Sequence, residues 1–133
     1  MAFQFSTAAR NAALDAIETA IGTGPTLELR TGAAPANCAA ADSGTVLATM
    51  TLPSNWLADA SGGSKALAGT WQDSSADAAG TAAHFRIKQG GTCHIQGSVS
   101  ITGGGGDMTL DNNVLAVGQQ VTITSFTLTA GGA

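Results

Sequence analysis

From residue 26 almost to the end of the chain, apolar residues return at every second position, and this period limits the fold more than any other feature. "TLELRTG" places Leu27 and Leu29 on one face and Glu28 and Arg30 on the other, the pattern of a half-buried strand whose successive side chains leave opposite sides of the pleat. "TVLATMTL" repeats the rule with Val46, Ala48, Met50 and Leu52, and "TAAHFRIK" repeats it with Ala83, Phe85 and Ile87 set against His84, Arg86 and Lys88. In "TCHIQGSVSIT", Cys93, Ile95, Gly97, Val99 and Ile101 alternate with Thr92, His94, Gln96, Ser98 and Ser100. One face of that strand is expected to meet a core and the other water or a partner. "KALAGTWQ" is a weaker strand candidate with Trp71 as a core aromatic. The last run, "VTITSFTLT", slips in phase: Val121 and Ile123 are odd-numbered, Phe126 and Leu128 even. One extra residue near Ser125 returns both pairs to the same face, which predicts a β-bulge or a strand that changes sheets.

Before residue 26 the period is helical. Leu14, Ile17 and Ile21 fall at i, i+3 and i+7, with Ala13 and Ala20 widening the stripe. Ser6 or Thr7 can cap the start, and Gly22 followed by Pro25 can stop the helix. Phe3 and Phe5 precede it in an apolar "FQF" arm, either tucked under the domain, as packed termini commonly are, or used by a partner. With 133 residues, the expectation is one mainly-β domain, β-sandwich or jelly-roll-like, with one N-terminal α-helix. Its parts are an arm at 1–5, a helix at 6–22 and a sandwich at 26–129.

Five basic and nine acidic residues give a net charge of −4, and charged residues make up only 11% of the chain, against about 25% in ordinary domains. A surface of hydroxyls and methyls suits packing against neighbours. Arg10, Arg30, Lys65, Arg86 and Lys88 are scattered, so no basic stripe marks a nucleic-acid partner. No stretch approaches the roughly 18 consecutive apolar residues of a membrane span. The start, with Arg10, Asn11 and Asp15, does not read as a signal peptide, so secretion by that route is not expected. Cys38 and Cys93 show no CxxC or zinc-finger spacing. In a reducing cytosol two buried, inert thiols are expected in preference to a disulfide.

The run "SITGGGGDMTLDNN" raises the possibility of a phosphate or metal cradle. It lacks the Gly-Lys-Ser/Thr and following helix of a phosphate loop and the regular oxygen spacing of a calcium loop, so it reads as a flexible connection between strands. His84 and His94 lie on the polar faces of neighbouring strands and could approach each other, but no nucleophile motif accompanies them. Asp73 and Asp77 read as turn residues. Trp56, after "LPSN", is either an interface anchor or a core tryptophan. No catalytic, cofactor-binding or metal-ligating residue is assigned, and the candidate protein interface is Phe3, Phe5, Trp56, His94 and Gln96.

Four phrases carry a resemblance: "STAARNAALDAIETAIG", "LELRTGAAPANCAAADSGTVLATMTL", "SADAAGTAAHFRI" and "DNNVLAVGQQVTITSFTLT". In this order they resemble small structural proteins of tailed bacteriophages and prophages, over most of the chain. The resemblance implies a non-enzymatic virion component assembled in the host cytoplasm, first of all a capsid decoration or cement protein. Its partners would be the major capsid protein and copies of itself, with no nucleic acid, membrane or cofactor. A neck, tail or fibre component is the alternative within the family. A carbohydrate- or host-surface-binding module, with Trp56 or Trp71 near Asp73, is the alternative outside it.

Overall fold

The computed structural model describes residues 3–133; residues 1 and 2 of the expected arm lie outside the described residues. One helix, α1 (Thr7–Ile21), precedes ten strands: β1 (Thr26–Arg30), β2 (Val46–Thr51), β3 (Ser64–Ala66), β4 (Gln72–Asp73), β5 (Gly80–Thr81), β6 (His84–Gln89), β7 (Thr92–Ile101), β8 (Met108–Leu110), β9 (Val114–Leu115) and β10 (Val121–Thr129). The main sheet runs β2-β1-β6-β7-β8-β10-β3, with β4 also on β10, while β5 and β9 pair separately. The chain is a mainly-β domain with one helix and a mixed sheet, as its periodicity predicts.

The sheet folds over one core. Phe85 on β6 meets Phe126 on β10 edge to face at 5.5 Å, and the aromatic chain continues through Trp71 (5.6 Å from Phe126) to Trp56 (6.0 Å from Trp71). Leu27, Leu29, Ile87, Met108 and Leu110, each fully buried, surround these rings. The two ends of the sheet are tied together at β4 and just after it. Asp73 Oδ2 accepts the Thr49 N–H of β2 at 3.1 Å, and the Asp77 N–H donates to the Leu47 carbonyl at 2.7 Å. The exposed backbone of edge strand β2 is thereby covered, which removes a template for unwanted pairing.

The phase slip in β10 is a bulge. Its register against β8 shifts between Ile123 and Ser125, so Thr124 is the extra residue and both Ile123 and Phe126 reach the core. The Thr124 hydroxyl lies 2.6 Å from that of Thr109 and 2.8 Å from that of Thr102. The bulge residue thus completes a hydroxyl cluster that satisfies buried Thr109.

The glycine run is a packed element, where a loose connection was expected. β7 and β8 are parallel, Val99 opposite Met108, although parallel neighbours usually need a crossover of a dozen residues or more. Residues 102–107 make the return by lying flat on the strand they have just left. The Gly106 N–H donates to Ser100 Oγ at 2.9 Å, and Asp107 Oδ2 accepts the Ser98 N–H at 2.9 Å. A Cβ on Gly104 would stand 2.8 Å from the Ser100 side chain and one on Gly106 2.7 Å from the Ser100 backbone nitrogen, while Gly103 and Gly105 have φ of +83° and +84°. Close approach and left-handed backbone alternate along the run, so each glycine has its own reason. Gly106→Ala is expected to cost about 1–3 kcal/mol through overpacking against backbone. Urea unfolding monitored by tryptophan fluorescence measures it; an unchanged midpoint would show that the loop yields freely.

Candidate interaction surface

The outer face of β1, β6 and β7 carries Glu28, Arg30, His84, Arg86, Lys88 and Gln96, and alternation alone leaves it facing solvent. It is instead roofed by the 31–45 loop. Asp42 in that loop meets three cations: Arg86 Nη1 at 2.7 Å, Lys88 Nζ at 2.7 Å and Arg30 Nη2 at 3.1 Å. Glu28 pairs with Arg30 and Lys88 from below, at 2.9 and 3.0 Å. Arg86 also donates to the Asn37 and Ala40 carbonyls and to Gln96, whose amide donates to the Pro35 carbonyl at 2.7 Å. Arg86 is 2% exposed and its guanidinium has carboxylate or carbonyl partners, which is the condition for burying a charge.

Cys38 and Cys93 are bonded, against the expectation of free thiols. The cause is a second bulge. β6 and β7 pair Ile87 with Ile95 but Lys88 with Cys93, so His94 is the extra residue. A one-residue slip reverses the faces. Cys93 therefore leaves the core side and joins Lys88 on the outer face, with its Cα 5.2 Å from that of Cys38. A cleft of about 350 Å³ runs along this margin between the disulfide and Lys88, but the cations on its wall are engaged with Asp42 and Glu28.

The helix docks with a face other than its most apolar one. Leu14 and Ile21 are buried, whereas Ile17 is 42% exposed and Ala9, Ala13 and Ala20 face outward. Polar anchors choose the face. Lys65 Nζ on β3 reaches Asp15 at 2.8 Å and Glu18 at 3.9 Å, and Asn11 Oδ1 accepts the Gly63 N–H at 2.8 Å. At the other end, Trp56 Nε1–H donates to the Gly22 carbonyl at 3.0 Å and Gln89 to those of Ile21 and Thr23. Stripping Lys65, 3% exposed, of its carboxylates costs about 1–3 kcal/mol once discounted for the exposure of Asp15, against roughly 1 kcal/mol forfeited by the exposed part of Ile17. The ion pair wins and an apolar helix flank is left outward.

Beside that flank lies the arm. Ser6 caps α1 by accepting the Ala9 N–H at 3.1 Å. The Phe5 N–H donates to the Gly132 carbonyl at 2.6 Å, and its ring lies against Gly132 where a Cβ would overlap it. Phe3 stacks edge-on against Phe5 at 5.3 Å and is 76% exposed; Phe5 is 52% exposed. The arm is anchored at the C-terminal strand but is not tucked under the domain. Between α1 and residues 129–131 runs a groove of about 440 Å³, lined by Phe5, Ala9, Ala13, Ile17, Thr129 and Gly131 among others.

The expected interface residues thus divide. Phe3 and Phe5 share one apolar surface with Ile17. His94 is exposed on the β7 bulge, and Gln96 is half-buried as a partner of Arg86. Trp56 is fully buried in the core, as is Trp71, so neither is an interface anchor or a platform for a sugar ring. His84 and His94 do not meet across the sheet, because His84 pairs with Ser98. His84 is buried with Nδ1 2.7 Å from the Gly32 carbonyl, an acceptor, so Nδ1 carries the proton. Asp107 accepts the Ser98 N–H of β7, Asp111 and Asn112 accept backbone N–H groups of their own turn, and no group of metal-ligating side chains occurs among the described residues. Comparison with protein-family models, curated proteins and solved structures gives no match.

Two outcomes follow from the clamp. The Lys88 hydrogen bond, then that of Arg86 and the charge of Arg30, hold the Asp42 carboxyl below its ordinary 3.8 against the opposing effect of burial. Its stabilisation is complete above that ordinary value and is lost as pH falls through the lowered one. Asp42→Asn, which strips the buried guanidinium of Arg86 of its carboxylate, is expected to cost about 1–3 kcal/mol at neutral pH, discounted for the partial exposure of Asp42. The variant should also lose part of the wild-type decline below about pH 4; parallel acid titrations of stability would contradict the assignment. Reducing the disulfide, which closes a separation of 55 residues, is expected to remove about 4 kcal/mol on the loop-entropy account. Thermal melts with and without reductant measure this loss.

Proposed function

We propose that this protein is a non-enzymatic structural component of a phage virion, a decoration or cement protein that binds the head shell through its arm–helix surface. The observation that carries the reading is the apolar surface of Phe3, Phe5 and Ile17, on a chain whose buried cations Arg30, Lys65 and Arg86, with Lys88, are engaged in internal ion pairs. Such a surface favours association by shape and apolar burial over attraction to a charged partner. The order of its phrases, which resembles small virion proteins, supplies the biological setting. Ion pairs and a disulfide hold the scaffold while the surface stays free to bind. Many weak copies on a lattice would then stabilise the assembled shell over its dispersed subunits by mass action.

Purified particles are expected to contain this chain at a copy number comparable to that of the major capsid protein, read by quantitative mass spectrometry. Heads lacking it should burst at lower temperature, and Phe5→Ser with Ile17→Asp should reduce occupancy on the shell. A complement of only a ring of copies would move the protein to the neck or tail, and full occupancy by the double variant would exclude the arm–helix surface.

A further inference from the structure

We propose that the Cys38–Cys93 disulfide is a reversible redox latch: a small thiol entering the cleft beside it releases the 31–45 loop while the core stays folded, and the Asp42 clamp sets how readily the bond reforms. This needs neither the virion setting nor the arm–helix surface.

The loop is held at the surface and takes no part in the core. No residue from 31 to 45 is buried, so lifting the loop withdraws no side chain from the apolar interior. It breaks polar contacts, and the groups it uncovers, Arg30, Arg86 and Lys88 with Glu28, pass into water that solvates them. Segments fastened in this way lie at the low-stability end of a structure and open locally. The disulfide is the covalent tie that forbids this opening by joining the loop to β7.

The two sulfurs are brought together by contacts that involve neither of them. The Asn37 carbonyl accepts the Ala40 N–H at 3.1 Å, closing a turn that contains Cys38. Arg86 Nη2 donates to the carbonyls at both ends of that turn, Asn37 at 3.0 Å and Ala40 at 3.1 Å. Asp42 then fixes the loop to three cations, and Gln96 holds it at Pro35. On the other side, the His94 bulge presents Cys93 on the same face. A reduced chain with its clamp closed therefore keeps the two thiols at high effective concentration, and the bond reforms without refolding. Weakening the clamp lowers that concentration and moves the exchange equilibrium towards the thiols, because clamp and bond favour the same seated loop.

The chemistry is thiol–disulfide exchange. Both cysteines are half-buried and line the cleft of about 350 Å³, together with Ala39 and Gly91, whose small size leaves the sulfurs open to attack. An external thiolate attacks one protein sulfur, forms a mixed disulfide and expels the other as a thiolate; a second external thiolate attacks the mixed disulfide, frees the remaining protein sulfur and departs as the external disulfide. Two electrons pass to the protein, and its two thiolates take up the protons that the external thiols lost. Glutathione provides this couple, so reducing cytosol favours the released loop and oxidising surroundings the latched one. Released, the outer face of β1 and β6 presents three cations that the oxidised chain keeps internal.

Titration of the full chain in glutathione redox buffers, read by thiol alkylation and intact mass, is expected to give a reversible two-electron midpoint. Asp42→Asn should move it about tenfold towards the thiol form, about 30 mV, and Gln96→Ala, which frees the loop at Pro35, should move it in the same direction. Gly106→Ala, which crowds the far end of β7 at Ser100, should lower stability and leave the midpoint where it is. Elastase, which cuts after small residues, should nick 31–45 about tenfold faster in the reduced chain, while buried Trp56 and Trp71 keep the fluorescence of the folded state. A midpoint indifferent to both Asp42→Asn and Gln96→Ala, an equal shift from Gly106→Ala, loop cleavage unchanged by reduction, or loss of the folded tryptophan signal on reduction would overturn the latch.

Discussion

Asp42 is the point on which the outer half of the structure turns. Three cations stand on the outer face of β1 and β6, close enough to repel one another, and Glu28 is the single carboxylate on those strands. A second negative charge has to come from elsewhere in the chain, and Asp42, the only acid between Glu28 and Asp59, brings the 31–45 loop down with it. Once that loop is seated, its carbonyls take the remaining donors of Arg86 and its cysteine comes within reach of Cys93. Each contact would be weak at an exposed surface. Together they exclude water from one another, so Arg86 is buried with every contact made to a full or partial negative charge.

The same principle, a buried cation choosing its carboxylates, orients the helix. Lys65 selects Asp15 and Glu18, and the rotation that serves this pair turns Ile17 outward. An exposed apolar flank is therefore the by-product of an internal electrostatic requirement, and the aromatic arm extends it. Stability and the interaction surface are coupled through one geometry: the pair that fastens α1 to β3 also decides which helix residues a partner can meet.

Much of the scaffold was legible because period-2 alternation encodes it directly. The strands around Leu27, Met50, Phe85 and Val99 lie where alternation places them, and the bulge at Thr124 follows from a phase slip visible in the letters themselves. The bulge at His94 left no such trace. Cys93 and Ile95 continue the apolar alternation, so the reversal that turns Cys93 to the outer face is invisible until the strand is paired. The glycine run was legible as a connection but not as a packed one, because close approach to Ser100 depends on β8 returning parallel to β7. Trp56 shows the limit for single residues: its buried place depends on Trp71 and the Gly22 carbonyl, both distant in sequence.

Near neighbours in the chain fix helix then strands, a helix start at Ser6 or Thr7 and a stop at Gly22, the turn residues, and the small number of charges. Which faces are covered depends on contacts between residues far apart in the chain. The polar side of β6 became an interior because Asp42 and Cys38 lie on a loop that the outer cations and Cys93 can hold. The apolar side of α1 became a surface because Lys65 could be buried only beside Asp15 and Glu18. In both places a long-range charge pair outweighed the local preference written in the hydrophobic pattern, since stripping a buried ion of its partner costs more than leaving one apolar side chain in water.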